Sequence, residues 1–238
     1  MVVAFRNQER YLERTLESVS RQDYGDFEVI LVDDASTDGS SKAAFLMAER
    51  NGWEYARRDR SSGPAEARAE GVRRSRGRLI AFLDGDDLWR PEKLRIQSEW
   101  MRRPGVVMTF CEFDLIDAGD NALLTDGRPA KLDMRRSYSF YPHPCMTSMV
   151  MLNRQALEKV GGIATHYRYL YDDSDLWVRI HRRFGTNGWR CIPKQLGSYR
   201  VHEGGVSNLL KLDLVDERAV QARLDLACFQ RQCASRPR

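Results

Sequence analysis

Residues 28–39 read EVILVDDASTDG, an apolar burst that ends in carboxylates and a glycine. A run apolar on both faces suits a strand covered on both sides, as in a parallel sheet, rather than a strand with one wet face. Working outward, Gly39–Asn51 carries a helical pattern, and upstream Val2–Phe5 and Glu9–Arg21 give another strand and helix, with Leu12, Leu16 and Val19 on one stripe. Downstream, Trp53–Ala56, Ala65–Ser75 and Leu79–Leu83 repeat the cycle, and Val106–Phe110 supplies a further strand. Pro91 opens a helix that Pro104 stops. Alternation of this kind predicts a doubly wound α/β sheet whose functional edge lies at the strand C-termini. Beyond residue 110 the expected elements are Met149–Leu152, a helix near Gln155–Val160, a Gly161-Gly162 turn, a helix over Asp173–Arg183, a strand over Leu196–Val201 and a terminal helix over Leu209–Gln232. Residues 117–145 lack periodicity and read as a long substrate-side excursion.

Composition narrows the function classes. With 238 residues, 42% of them hydrophobic, the chain can bury a core without a disulfide or structural metal. Its apolar runs stop far short of a membrane span, and Arg6 interrupts the opening too early for a secretory leader. Five cysteines, odd in number and without a CxxC pair, are expected to be reduced thiols in a cytoplasmic protein. The 34 acids interleave with the 38 bases, so the net charge of +4 describes no single-sign field. No recognition motif accompanies the arginine pairs, and nucleic acid is not an expected partner.

Chemistry concentrates where strands end. Asp33 and Asp34 follow one buried strand, and Asp84-Gly85-Asp86-Asp87 follows another, so both clusters open onto the same crevice. Asp34–Asp38 would also cap the next helix. A calcium loop counted from Asp34 fails, because Phe45 stands at the twelfth position where a bidentate Glu is needed. Two carboxylates flanking Gly85 can hold a hard divalent cation, Mg²⁺ or Mn²⁺, with positions left for phosphate oxygens. The third cluster, Asp172, Asp173 and Asp175, opens a helix; it suits the helix dipole, and its mutual repulsion suits a general base. Period two would put Arg200 and His202 on one face, able to reach a phosphate and a metal together.

The motifs in their order resemble the family 2 inverting nucleotide-sugar glycosyltransferases. The stretches that carry the likeness are NQERYLERTLESVSRQDYGDFEVILVDDASTDGS, GPAEARAEGV, GRLIAFLDGDDLW, VGGI, YDDSDLWVRI and YRVHEGGVS, which together reach residue 208. The resemblance implies a GT-A fold, Rossmann-like and mostly parallel, over residues 1–208, with a nucleotide-sugar half (1–110), an acceptor half (111–208) and a helical tail over 209–238. It implies that Ala4, Arg6, Asn7, Glu9, Asp33, Asp34, Arg68, Asp84 and Gly85 line the nucleotide. It further implies that Asp84, Asp86 and His202 hold Mn²⁺ or Mg²⁺, that Asp173 is the base, and that Asp172, Arg200 and Trp177 stand on the acceptor side or behind it. Where the family's first strand usually ends Pro-x-Tyr-Asn, this chain has Ala4-Phe5-Arg6-Asn7, and its usual Glu-Asp pair is Asp172-Asp173.

The expected activity is metal-dependent transfer of a sugar, with inversion, from a nucleoside diphosphate donor (a UDP-sugar foremost) to a hydroxyl of a saccharide or lipid-linked acceptor, in cell-surface polysaccharide or glycoconjugate synthesis. The tail is a candidate for peripheral contact with the inner face of the membrane. Two rivals stand beside it. A haloacid-dehalogenase-like phosphatase also starts with a strand and DxD, but it wants Thr or Val where this chain has Leu88, and it leaves Asp33, Asp34 and His202 without work. A non-catalytic nucleotide-sugar-binding relative would be favoured by loss of a metal or base carboxylate, and none is lost.

Overall fold

A computed structural model of the chain describes residues 1–125, 128–129, 146–166 and 172–205. The expected terminal helix over 209–232, most of the 117–145 excursion, and Cys145, Cys228 and Cys233 lie outside them. The main sheet has eight strands in the order β3-β2-β1-β4-β9-β6-β10-β5. These are β1 (Val2–Phe5), β2 (Ile30–Asp33), β3 (Glu54–Arg57), β4 (Leu79–Asp84), β5 (Leu88–Trp89), β6 (Met108–Ile116), β9 (Val150–Asn153) and β10 (Trp189–Arg200). A short ladder, β7 (Leu124–Thr125) with β8 (Arg128–Pro129), stands apart. The first four strands of the chain are parallel neighbours, β9 runs antiparallel between β4 and β6, and β5 is antiparallel to β10. The sheet is therefore mixed, with its order reversing at β1, flanked by β2 and β4.

The pleat divides the core. Val2, Ala4, Ile30, Val32, Ile80 and Phe82 face one side, against α3 (Pro64–Arg74), α5 (Arg154–Lys159) and α6 (Asp172–Phe184). Val3, Phe5, Leu31 and Leu83 face the other, against α1 (Leu12–Ser20), α2 (Ser40–Asn51) and α4 (Lys93–Met101). The helix α3 lies so close to β1 that a Cβ on Gly71 would meet Val2 Cγ1 at 2.2 Å.

Several boundaries differ from the sequence expectation, each for a local reason. Helix α1 begins at Leu12, not Glu9, and residues 8 and 9 are tied instead to the start of α2, their N–H groups donating to Ser40 Oγ (2.8 Å) and Asp38 Oδ2 (3.1 Å). Helix α4 starts two residues after Pro91. Strand β6 continues past Phe110, since Glu112 and Asp114 alternate with buried Phe113 and Leu115. Strand β10 starts at Trp189 rather than Leu196; a break in register around Gln195, beside Pro193, disguises its earlier half. The excursion begins with an ordered turn in which Asp117 Oδ1 accepts from the N–H groups of Gly119 (2.7 Å) and Asn121 (2.9 Å).

Candidate active site

The loops after β1 and β2 are stitched together. Asn7 and Ala35 both take the left-handed conformation, at φ 52° and 58°, uncommon for residues with a side chain. Asn7 N–H donates to Ser36 Oγ (3.1 Å), and Asn7 Oδ1 accepts from Thr37 N–H (2.8 Å). Burial alone would raise the Asp38 carboxyl, but hydrogen bonds from Ser40 and the Glu9 N–H outweigh it and hold the group below its ordinary value. Arg6 and Glu9 are exposed on this rim, while Ala4 is buried in β1.

Asp33 and Asp34 are buried in the crevice floor, and protein donors occupy their oxygens. Asp33 accepts from Ser36 N–H (2.8 Å), from Tyr55 OH (3.1 Å) and from Ser41 Oγ. Asp34 accepts from Ser61 Oγ (2.7 Å) and from the N–H groups of Ser62 (3.1 Å) and Gly63 (2.9 Å). Asp34 thus shapes the turn that launches α3 and aims Arg68 at the centre of the crevice.

Arg68 is the hub. Its guanidinium donates to Asp84 Oδ1 and Asp172 Oδ2, both at 2.7 Å, joining carboxylates 88 residues apart in the chain. Burial alone would weaken its hold on the proton; the charges of Asp84 and then Asp172 more than reverse this, so it is firmly cationic. Burial raises the Asp84 carboxyl, the Arg68 charge opposes this and Asp86 adds to it. Next to Asp172, Asp173 accepts from Thr147 Oγ1 (3.2 Å) and Ser174 N–H (2.6 Å). Desolvation, followed by the Asp172 charge, lifts its carboxyl above the ordinary value.

On the opposite wall Asp86 Oδ2 lies 3.0 Å from His202 Nε2 and accepts from Gln8 Nε2 at 3.2 Å. The ring of Tyr11 sits 4.5 Å from that of His202 and 4.8 Å from the Arg200 guanidinium, which stacks on it. Arg200 departs from expectation. It does not share an open face with His202, because β10 and its alternation end at Arg200 itself. Its buried guanidinium donates to Asp86 O (2.7 Å) and Asp117 O (2.9 Å) and pairs with Asp120, so it braces the carboxylate turn from behind. Trp177 is likewise a core residue, 1% exposed, that seats α6.

The donor set suits a hard divalent cation in part. Asp86 and His202 converge on one point, and Asp84 keeps about a third of its side chain (31%) exposed beside them. Among the described residues no three His, Cys, Asp or Glu side chains enclose an ion by themselves. Two protein ligands with the rest from water and diphosphate oxygens is how Mg²⁺-type ions are commonly held. Sequence reasoning missed Ser148, Thr147, Asp87, Tyr11 and Gln8; only Asp87 carried a signal, as the last acid of its cluster.

A mixed α/β sheet with acids gathered at its strand ends has the architecture of the GT-A glycosyltransferases. The family model for glycosyl transferase family 2 matches residues 1–161, and the chain belongs to that family. It is 30% identical over 213 residues to the uncharacterized glycosyltransferase alr2836 of Nostoc sp., covering 85% of this chain and 64% of that protein. It is 36% identical over 113 residues to the putative teichuronic acid biosynthesis glycosyltransferase TuaG of Bacillus subtilis, covering 46% and 44%. The chain thus spans less than two thirds of the length of either relative. Among solved structures it resembles the mannosyltransferase PcManGT from Pyrobaculum calidifontis in complex with GDP-Man and Mn²⁺, at TM-score 0.68 and 24% identity over 93% of this chain and 63% of that one. Membership of this family sets the phosphatase reading aside. No helix among the described residues is long and apolar enough to cross a membrane.

Proposed function

We propose that the protein transfers a sugar, with inversion and with a divalent cation, from a nucleoside diphosphate sugar to an acceptor hydroxyl. The observation that carries this reading is the Arg68 bridge, which gathers a donor-side carboxylate, Asp84, and the acids at the start of α6 into one crevice. The base and ribose lie over the Asp33–Asp34 floor, behind the Arg6–Glu9 rim. Asp86, His202 and Asp84 would hold Mn²⁺ or Mg²⁺, which when bound neutralises charge developing on the departing diphosphate. Asp173 takes the proton of the acceptor hydroxyl as that oxygen attacks the anomeric carbon; the carbon–phosphate oxygen bond breaks on the opposite side and the nucleoside diphosphate leaves. A carboxyl raised by burial is better matched to that proton than an exposed one. Arg200 and Tyr11 hold the wall in place. The acceptor is a saccharide or lipid-linked saccharide of cell-surface polysaccharide or glycoconjugate assembly, a reading that draws on TuaG, and a UDP-sugar is the first donor to test. The site of action is the cytoplasmic side, at the inner membrane face.

A panel of UDP- and GDP-sugars screened by thermal shift, with Mn²⁺ and with chelator, tests the donor side. Asp173→Asn should keep metal-dependent donor binding and lose transfer by roughly 10²–10⁴. Equal nucleotide binding with and without cation would remove the carboxylate turn from the ligand role. Parent-like transfer by Asp173→Asn would leave Asp173 as a helix cap, and would revive the non-catalytic reading of this acid.

A further inference from the structure

Thr147–Met149 is a single helical turn between the excursion and β9, and its first two side chains point to two different parts of the crevice. Thr147 Oγ1 donates to Asp173 Oδ2 at 3.2 Å. Ser148 Oγ accepts from Asp84 N–H at 3.1 Å and donates to Asp87 Oδ2 at 2.5 Å, and Asp87 Oδ1 in turn accepts from Arg200 N–H at 3.0 Å. Both side chains are buried, at 6% and 1% exposure, so neither hydroxyl has water as an alternative partner. The turn is fixed from below, where Trp89 Nε1 donates to Ser148 O (2.7 Å) and Gln97 Nε2 to Met149 O (3.0 Å). It continues directly into β9, which is paired on both edges.

We propose that Thr147 and Ser148 are positioning residues that fix the base and the carboxylate turn relative to each other. The proposal rests on the assignment of Asp173 and Asp84–Asp86 above and deepens it. Neighbouring residues on a rigid turn cannot move independently, so the spacing between proton acceptor and diphosphate site is set by one peptide unit. The two hydroxyls have different tasks. Thr147 stabilises the charged form of Asp173, in an environment otherwise made by Asp172 and the Ser174 N–H on its own helix and by Arg68 on α3. Ser148 holds the backbone at Asp84 and donates to the buried carboxylate of Asp87.

The test is a split of effects between adjacent residues. In protein labelled with ¹³C at Asp carboxyls, the Asp173 resonance is identified by its absence from Asp173→Asn and titrated in the parent and in Thr147→Val, of similar shape. Losing a donor to the charged form should raise the midpoint by about one unit, and Thr147→Ser should restore it. Binding of UDP with Mn²⁺, measured by calorimetry, should be unchanged in Thr147→Val and about 10–100-fold weaker in Ser148→Ala, as for other residues that orient a ligand from behind. Circular dichroism confirms that each variant folds. An unmoved Asp173 midpoint in Thr147→Val, or parent-like UDP affinity in Ser148→Ala, overturns the proposal. Failure of the underlying assignment looks different: Asp173→Asn would transfer sugar normally while the titration still moved, or the parent itself would not bind UDP with Mn²⁺ while the Thr147 effect persisted.

Discussion

Lys93 offers a sharp test of the energetics beneath the carboxylate turn. Its side chain is fully buried, its Nζ lies 2.5 Å from Gln97 Oε1 and 4.0 Å from the centre of the Trp89 ring, and no acid pairs with it among these contacts. Burial pushes the ammonium from its ordinary 10.5 down to about 8, so it remains charged at pH 7. That drop corresponds to about 3 kcal/mol, because each unit is worth about 1.4 kcal/mol. The folded state holds this proton less tightly than the unfolded state. The penalty is therefore fully present below pH 8 and is relieved as pH rises from 8 to 10.5. Lys93→Met removes the penalty at pH 7 but leaves Gln97 Oε1 without its donor, at a cost of about 1–3 kcal/mol. The variant should therefore be about 1 kcal/mol more stable than the parent at pH 7 and about 2 kcal/mol less stable near pH 10.5, with the curves crossing between. Burial also pushes the Cys111 thiol up to about 11, which lowers stability from pH 9 upward, and the Cys111 charge favours the Lys93 ammonium, so urea melts compare Lys93→Met with its parent both with Cys111 present and in a Cys111→Ala background. Parallel stability curves across that range would refute the reasoning.

Arg68→Gln should lower stability by about 3–5 kcal/mol at pH 7, because it leaves Asp84 and the buried Asp172 without their cation. Burial already raises the Asp84 carboxyl and Arg68 opposes this, so without the guanidinium its folded value rises further and the loss should shrink as the solution is acidified and Asp84 becomes neutral; a pH-independent loss in thermal melts would contradict this. Gly71→Ala should cost about 1–3 kcal/mol by forcing α3 off β1, whereas Gly25→Ala, with no atom within 4 Å of its Cβ, should be near neutral; equal effects on Tm would refute the close approach.

The alternating half of the molecule was legible because burial on both faces of β2 and β4 leaves an apolar run that only a covered strand explains. The acid clusters were legible for a related reason: carboxylates directly after such runs need a site, a partner or a cap. What could not be read was who neutralises whom. Arg68 was expected near a nucleotide, yet its two partners, Asp84 and Asp172, meet it only through tertiary folding. Arg200 stands behind the crevice, and the face that period two would have it share with His202 is lost because β10 ends at Arg200. Thr147 and Ser148 gave no signal at all, since a buried hydroxyl shares its composition with any turn. The twelve-residue β10 was half hidden, because its register break and Pro193 erase the period-two pattern there.

The place of β9 bears on how the chain emerges from a ribosome. Strand β4 has β1 on one edge and β9 on the other, and β9 ends at Asn153. Until roughly seventy more residues have followed β4 out of the ribosome, the apolar LIAFL segment presents an unpaired edge, and β6 joins it with another. The late strand that closes both edges also carries, immediately before it, the turn of Thr147 and Ser148. The turn that reaches the crevice thus enters the sheet together with the strand that protects it, while Asp173 and His202 still follow in the chain; a pause in translation before residue 153 would prolong the exposure of both edges.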